Sequence, residues 1–171
     1  HHCYTPENIV FLHKQDESRE NNLHIGIELE IQGNEFDQML LFNQEIKKQY
    51  SDYFYLKADG SLNEYGVEIV SYPMTCNYIE HNDIWKKLFK TIQKHNMNNT
   101  ENCGLHFHLD KTYFTADNIK VIDYIVNTFY EKIMDLTGRD EYELRDYAAL
   151  QFKKENEFSF TLFKTEESFL L

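Results

Sequence analysis

The sequence predicts an α+β domain: a mostly antiparallel sheet with helices packed on one face and a polar site on the other. Two stretches, "LHIGIELEIQ" at 23–32 and "NCGLHFHLD" at 102–110, alternate apolar and polar residues as a strand with one wetted face does. Between and beyond them the apolar residues recur with a helical period. Asp59-Gly60 supplies a hairpin-type turn between further strand segments.

In the first strand Leu23, Ile25, Ile27, Leu29 and Ile31 face one side, and His24, Gly26, Glu28, Glu30 and Gln32 the other. A helix is expected from Phe36 to Tyr50, with Met39, Phe42, Ile46 and Tyr50 in its stripe. "YFYLKADGSLNEYGVEIVSYP" reads as two short strands, joined through the Asp59-Gly60 turn and a loop from Asn63 to Gly66. The second, Val67 to Tyr72, sets Glu68, Val70 and Tyr72 on one face before Pro73 ends it. One helix is expected from Tyr78 to Asn96, striped by Trp85, Leu88, Phe89 and Ile92. After the histidine strand, Thr115 caps a long helix to Leu136. Its stripe, Ile122, Ile125, Val126, Phe129 and Ile133, is expected against the sheet's apolar face with Leu105 and Phe107. Gly138 is a natural stop; a short helix at 142–153 and a last strand in "EFSFTLF" complete the reading. No internal repeat or linker stands out, so residues 1–171 read as one domain.

Composition narrows the partners. At 42% hydrophobic and 15% aromatic residues, the chain buries a substantial core. A net charge of -12 argues against nucleic acid and against an anionic membrane surface, both of which call for Lys and Arg. Surplus acid is what a divalent-cation site requires. No apolar run approaches a membrane span. The three cysteines are an odd number without CxxC spacing, which fits reduced thiols and a cytosolic (cytoplasmic) chain.

The polar face collects Glu28, Glu30, Glu68, His106 and His108 from separate strands. Any one pair is ordinary on a wetted sheet. Glu28 and Glu30, about 7 Å apart at strand rise, would raise each other's pKa unless a cation sat between them. Carboxylates with an imidazole suit Mg²⁺ or Mn²⁺ better than structural zinc.

"IGIELE", then "KADGSLNEYGVEIVSYPMT", then "CGLHFHLD" resemble, in order and spacing, the amidoligase family. The pattern is G-[IV]-E-x-E, then D-G-S-[LI] before G-[VF]-E-[IV]-V-S-x-P, then C-G-x-H-x-H. The opening "HHCYTPENIVFLHKQ" also resembles phage and Gram-positive bacterial members, and the likeness runs to about Arg139. These are relatives of glutamine synthetase and glutamate-cysteine ligase, so the resemblance implies that fold and an ATP-dependent carboxylate-amine ligase. It implies a sheet face that cradles ATP with Mg²⁺ or Mn²⁺. Glu28, Glu30, Glu68 and His106 match the metal ligands, with Glu28, Glu30 and His108 among the catalytic groups, and His108 matches the residue that meets phosphate. Asp59 and Ser61 of "DGSL" form a turn by their own chemistry and join the nucleotide site by resemblance.

Family members also carry a late E-[FV]-R strand followed by F-x-G-T. Here Ser159 and Thr161 fall at the Glu and Arg positions, and residues 154–171 diverge from the pattern. Arg139 and Arg145 are the candidate substitutes for phosphate contact, Arg139 with a catalytic role. Two other readings stand beside the ligase: an inactive amidoligase-like protein that binds nucleotide or protein, and an unrelated metal-dependent hydrolase. The ligase reading implies small-molecule or peptide carboxylate and amine substrates, and leaves a homo-oligomer open.

Overall fold

A computed structural model describes residues 8–100 and 102–137. Gly138, Arg139, Tyr142, Arg145, Ser159 and Thr161, with the expected elements at 142–153 and in "EFSFTLF", lie outside the described residues. The described residues form two compact units, divided between Lys111 and Thr112.

The first unit is built on β1 (His24–Gln32), the alternating strand expected from the sequence. It is followed by α1 (Phe36–Gln49), β2 (Phe54–Lys57), β3 (Gly66–Ser71) and β4 (Met74–Thr75). Then come α2 (Cys76–His81), α3 (Ile84–Lys94) and β5 (Leu105–Leu109). The sheet is five-stranded and every strand pair in it is antiparallel. β1 lies at its centre, with β3 and β4 on one side and β5 on the other; β2 pairs β3.

The core forms on the sheet's apolar face. Ile31, Phe54, Val67 and Ile69 from the strands join Phe42 and Ile46 of α1 and Ile84, Leu88 and Ile92 of α3 in one cluster. The α1 stripe is as expected, with Phe42, Ile46 and Tyr50 buried.

The single helix expected over 78–96 is two helices. Asn82 has extended backbone (φ -108°, ψ 129°), and its Oδ1 accepts the Ile84 N–H at 2.9 Å, starting α3 afresh. This is the side-chain-to-backbone competition that makes Asn favour helix ends. The restart shifts the buried stripe to Ile84, Leu88, Thr91 and Ile92 and leaves Phe89 exposed beside Trp85.

In the second unit Thr115 caps α4 (Ala116–Thr128) through a capping box with Asn118. The expected single helix breaks at Phe129, before α5 (Tyr130–Thr137). Phe129 is 47% exposed, so the expectation that it is a buried stripe residue is corrected. Leu105 and Phe107 of β5 are likewise exposed, and the core cluster built on α1 and α3 includes no β5 residue, so the expectation that they pack in the core is corrected. No helix among the described residues is long and apolar enough to cross a membrane.

Candidate functional site

Residues directly opposite each other on neighbouring antiparallel strands share a face and sit close together. β1 is paired on both sides, so its polar residues meet partners from two directions. Glu28 lies opposite His106 of β5 and Val70 of β3, and Val70 lies opposite Tyr55 of β2. Glu30 lies opposite Glu68, which in turn lies opposite Lys57. Gly26 lies opposite His108. Two adjacent rows therefore cross the polar face of the sheet: Tyr55, Val70, Glu28, His106, and Lys57, Glu68, Glu30.

Beyond Glu30 the second row ends at Gly104. Its carbonyl accepts the Glu30 N–H at 3.0 Å, and its own N–H donates to the Glu30 carboxylate. A Cβ at Gly104 would lie 2.8 Å from His106 Nε2 and 3.0 Å from Glu30 Oε2. Glycine is what lets the chain pass this close to two site side chains.

The five residues read from the sequence as sharing one face do converge. Glu28 is the hub: its Oε2 is 2.9 Å from His108 Nε2 and 3.4 Å from His106 Nδ1, and its Oε1 is 3.3 Å from Lys57 Nζ. Lys57 Nζ is 4.0 Å from Glu68 Oε2. One potential ligand atom from each of Glu28, Glu68 and His106 lies within 4.8 Å of the other two. The same holds for Glu30, Asp59 and Glu68. Atoms that bind one cation at about 2.0–2.6 Å stand roughly 3–5 Å from one another, so each triad fits a divalent ion. Glu68 belongs to both.

Asp59 closes the expected turn and also lies beside two carboxylates of the cluster. Its Oδ1 accepts the Ser61 N–H and the Ser61 hydroxyl, both at 2.7 Å, which closes the turn after β2. The turn in turn holds the carboxylate beside Glu30 and Glu68. Ser61 is exposed, and its bonds are to Asp59.

Electrostatics divides the carboxylates. Burial alone would raise Glu28. Hydrogen bonds from His106 and His108, with the charges of His108 and Lys57, hold it well below the usual carboxylate range. Glu68 goes the other way: burial and the Glu28 charge push it up to about 7 against the pull of Lys57. Burial also raises Glu30, opposed by the Gly104 N–H. His106 is raised by its hydrogen bond to Glu28. Lys57 is raised because the Glu68 and Glu28 charges outweigh its burial.

Sequence reasoning missed Lys57 and Gly104. Alternation in "FYLK" places Tyr55 and Lys57 on one face, but only the β2–β3 register puts Lys57 beside Glu68. Gly104 sits two residues before His106, within the motif but outside the strand proper.

A model of the family described as "putative amidoligase enzyme" matches residues 34–155. That span takes in Lys57, Asp59, Glu68, Gly104, His106 and His108, and it begins after Glu28 and Glu30. No curated protein and no solved structure is matched by the chain. With most of its length under the family model, the chain belongs to the amidoligase family, a family of ligase-type enzymes.

Proposed function

We propose that this protein is an ATP-dependent carboxylate-amine ligase, with the polar sheet face as its Mg²⁺- or Mn²⁺-nucleotide site on a glutamine synthetase-like fold. The observation that carries the proposal is the convergence of Glu28, Glu68 and His106, and of Glu30, Asp59 and Glu68, into two ligand triads that share one carboxylate. Glu28, Glu30, Asp59 and Glu68 come together while Lys57 pairs with two of them, and divalent cations would offset the remaining negative charge.

The reaction has two steps. A carboxylate oxygen of the first substrate attacks the γ-phosphorus of ATP and ADP leaves. The nitrogen of the amine then attacks the resulting acyl phosphate, phosphate leaves, and the nitrogen gives up a proton. Bound metal would neutralise charge on the polyphosphate. The protein's share is positioning and electrostatics. β1 and β3 hold Glu28, Glu30 and Glu68 on hydrogen-bonded strands, and the Asp59 turn adds a fourth carboxylate. Glu28 lies beside both imidazoles, and His108 is the residue that would meet a phosphate oxygen.

A second reading, an amidoligase-like protein that binds nucleotide without turnover, is favoured by Ser159 and Thr161 at the positions of the family's Glu and Arg. ADP release measured against libraries of amines and carboxylates separates the two. Thermal melts of wild type and Glu30→Gln, each with and without Mg²⁺ and a nonhydrolysable ATP analogue, test the site itself. Only wild type should shift, by mass action worth about 2.7 kcal/mol at a hundredfold excess over Kd. Equal shifts in both proteins would remove Glu30 from the site, and no shift in either would remove nucleotide binding.

A further inference from the structure

Among the described residues, Lys57 places an ammonium beside the carboxylate cluster, and its position is set by the fold. It is the last residue of β2, directly opposite Glu68, and its ammonium lies 3.3 Å from Glu28 Oε1 and 4.0 Å from Glu68 Oε2. Glu28 and Glu68 are two members of one ligand triad, and Glu68 also belongs to the other. One ammonium therefore engages the carboxylates on which both triads depend.

We propose that Lys57 is a built-in competitor for the divalent cation: it holds Glu28 and Glu68 in the metal-free protein, is displaced when the ion enters, and then meets the anionic ligand. The inference rests on the metal reading above and adds a residue that none of the motif comparisons assigned. An ammonium and a divalent ion compete for the same carboxylates, because like charges a few ångströms apart repel strongly in a half-buried site. The β2 backbone is paired to β3, so the flexible side chain is what yields. The 4.0 Å approach to Glu68 is longer than a formed hydrogen bond, which makes release from that carboxylate easy. Once displaced, the charged end stays tethered beside the cluster. A polyphosphate drawn there by the metal is the anion it can pair with. Metal entry and anion binding are thereby coupled through one side chain.

A plain structural ion pair predicts the opposite effect on metal affinity. If Lys57 only positions Glu28 and Glu68, removing it should weaken the metal site. If it competes, removing it should strengthen the site. Mn²⁺ affinity, measured by the loss of the free-ion paramagnetic resonance signal, distinguishes these without any turnover. Lys57→Met should bind Mn²⁺ alone about tenfold more tightly than wild type. At saturating Mn²⁺ it should bind tripolyphosphate several-fold more weakly. Unchanged or weaker Mn²⁺ affinity overturns the competition, and unchanged tripolyphosphate affinity overturns the second contact. Far-UV circular dichroism reports whether Lys57→Met folds. Should it not, Lys57→Arg carries the test, because a guanidinium can hold both carboxylates at once. Mn²⁺ should then bind several-fold more weakly than to wild type, and equal or tighter binding overturns the proposal. Absence of Mn²⁺ uptake by wild type would instead take away the metal reading and this inference together.

Discussion

Glu30 and Glu68 lie directly opposite one another across the β1–β3 pair, and each is only 5% exposed. Like charges in that relationship destabilise an antiparallel pair, and burial adds to the penalty. The surroundings offset it in part: Gly104 donates its N–H to Glu30, and Lys57 stands beside Glu68. A fold that keeps two buried carboxylates in register retains an unfavourable arrangement in the metal-free state. A ligand binding there would relieve it.

Glu68 is pushed up to about 7, so below that value it carries a proton and offers no anionic oxygen. Mn²⁺ affinity should climb between about pH 6 and 8, and binding near pH 6 should release a proton. Calorimetry in two buffers of different ionisation enthalpy reads that release. For the metal-free protein, the folded state holds this proton where the unfolded chain has lost it. The Glu68 contribution to stability is therefore present below its ordinary value of 4.5 and is lost as pH rises through about 7. Glu68→Gln should flatten both profiles.

Gly104→Ala tests the close passage of the chain. The added methyl would stand 2.8 Å from His106 Nε2 and 3.0 Å from Glu30 Oε2, so both side chains must shift. Metal affinity should fall at least tenfold, while the melting temperature changes by only a few degrees because the core lies on the other face. A crystal structure of the variant with His106 and Glu30 unmoved would refute this account.

Phe42→Ala tests the apolar face. Phe42 is 0% exposed within the cluster formed by α1, α3 and the strands, and its loss should destabilise by about 3–5 kcal/mol in urea unfolding. Phe36→Ala, at an exposed position of the same helix, should change stability by less than about 0.5 kcal/mol.

Strand alternation alone makes the site face legible in the sequence. Period two assigns each residue to a face whatever the neighbouring strand is, so Glu28, Glu30, His106 and His108 group together from β1 and β5 by themselves. Contacts that depend on register cannot be read this way. Lys57 meets Glu68, and Gly104 meets Glu30, only because the strands slide to those pairings. The helices mislead for a different reason. Helical period runs through Asn82, but one side-chain hydrogen bond to Ile84 ends α2 and rotates the next stripe. Leu105 and Phe107 have the alternation of buried strand residues, yet the core cluster does not include them. Periodicity identifies a face without identifying what covers it.

The sharing of Glu68 leads to a stoichiometric prediction. Glu28 and His106 belong only to the first triad, and Glu30 and Asp59 only to the second. If each triad seats one ion, wild type should bind two Mn²⁺ in equilibrium dialysis. Glu28→Gln and Asp59→Asn should each retain one, because an amide keeps the shape of the carboxylate but supplies no charge. Glu68→Gln should lose both, since neither ion keeps enough anionic ligands. A single site would respond differently, with all three variants reducing one ion's affinity to similar degrees. The half-occupied variants also separate the roles of the two positions. Asp59→Asn leaves Glu28, the two imidazoles and Lys57 in place, so its remaining ion should still respond to Lys57→Met with tighter binding. Glu28→Gln removes the closest partner of the Lys57 ammonium, 3.3 Å away, so in that background Lys57→Met should have a smaller effect on Mn²⁺ affinity.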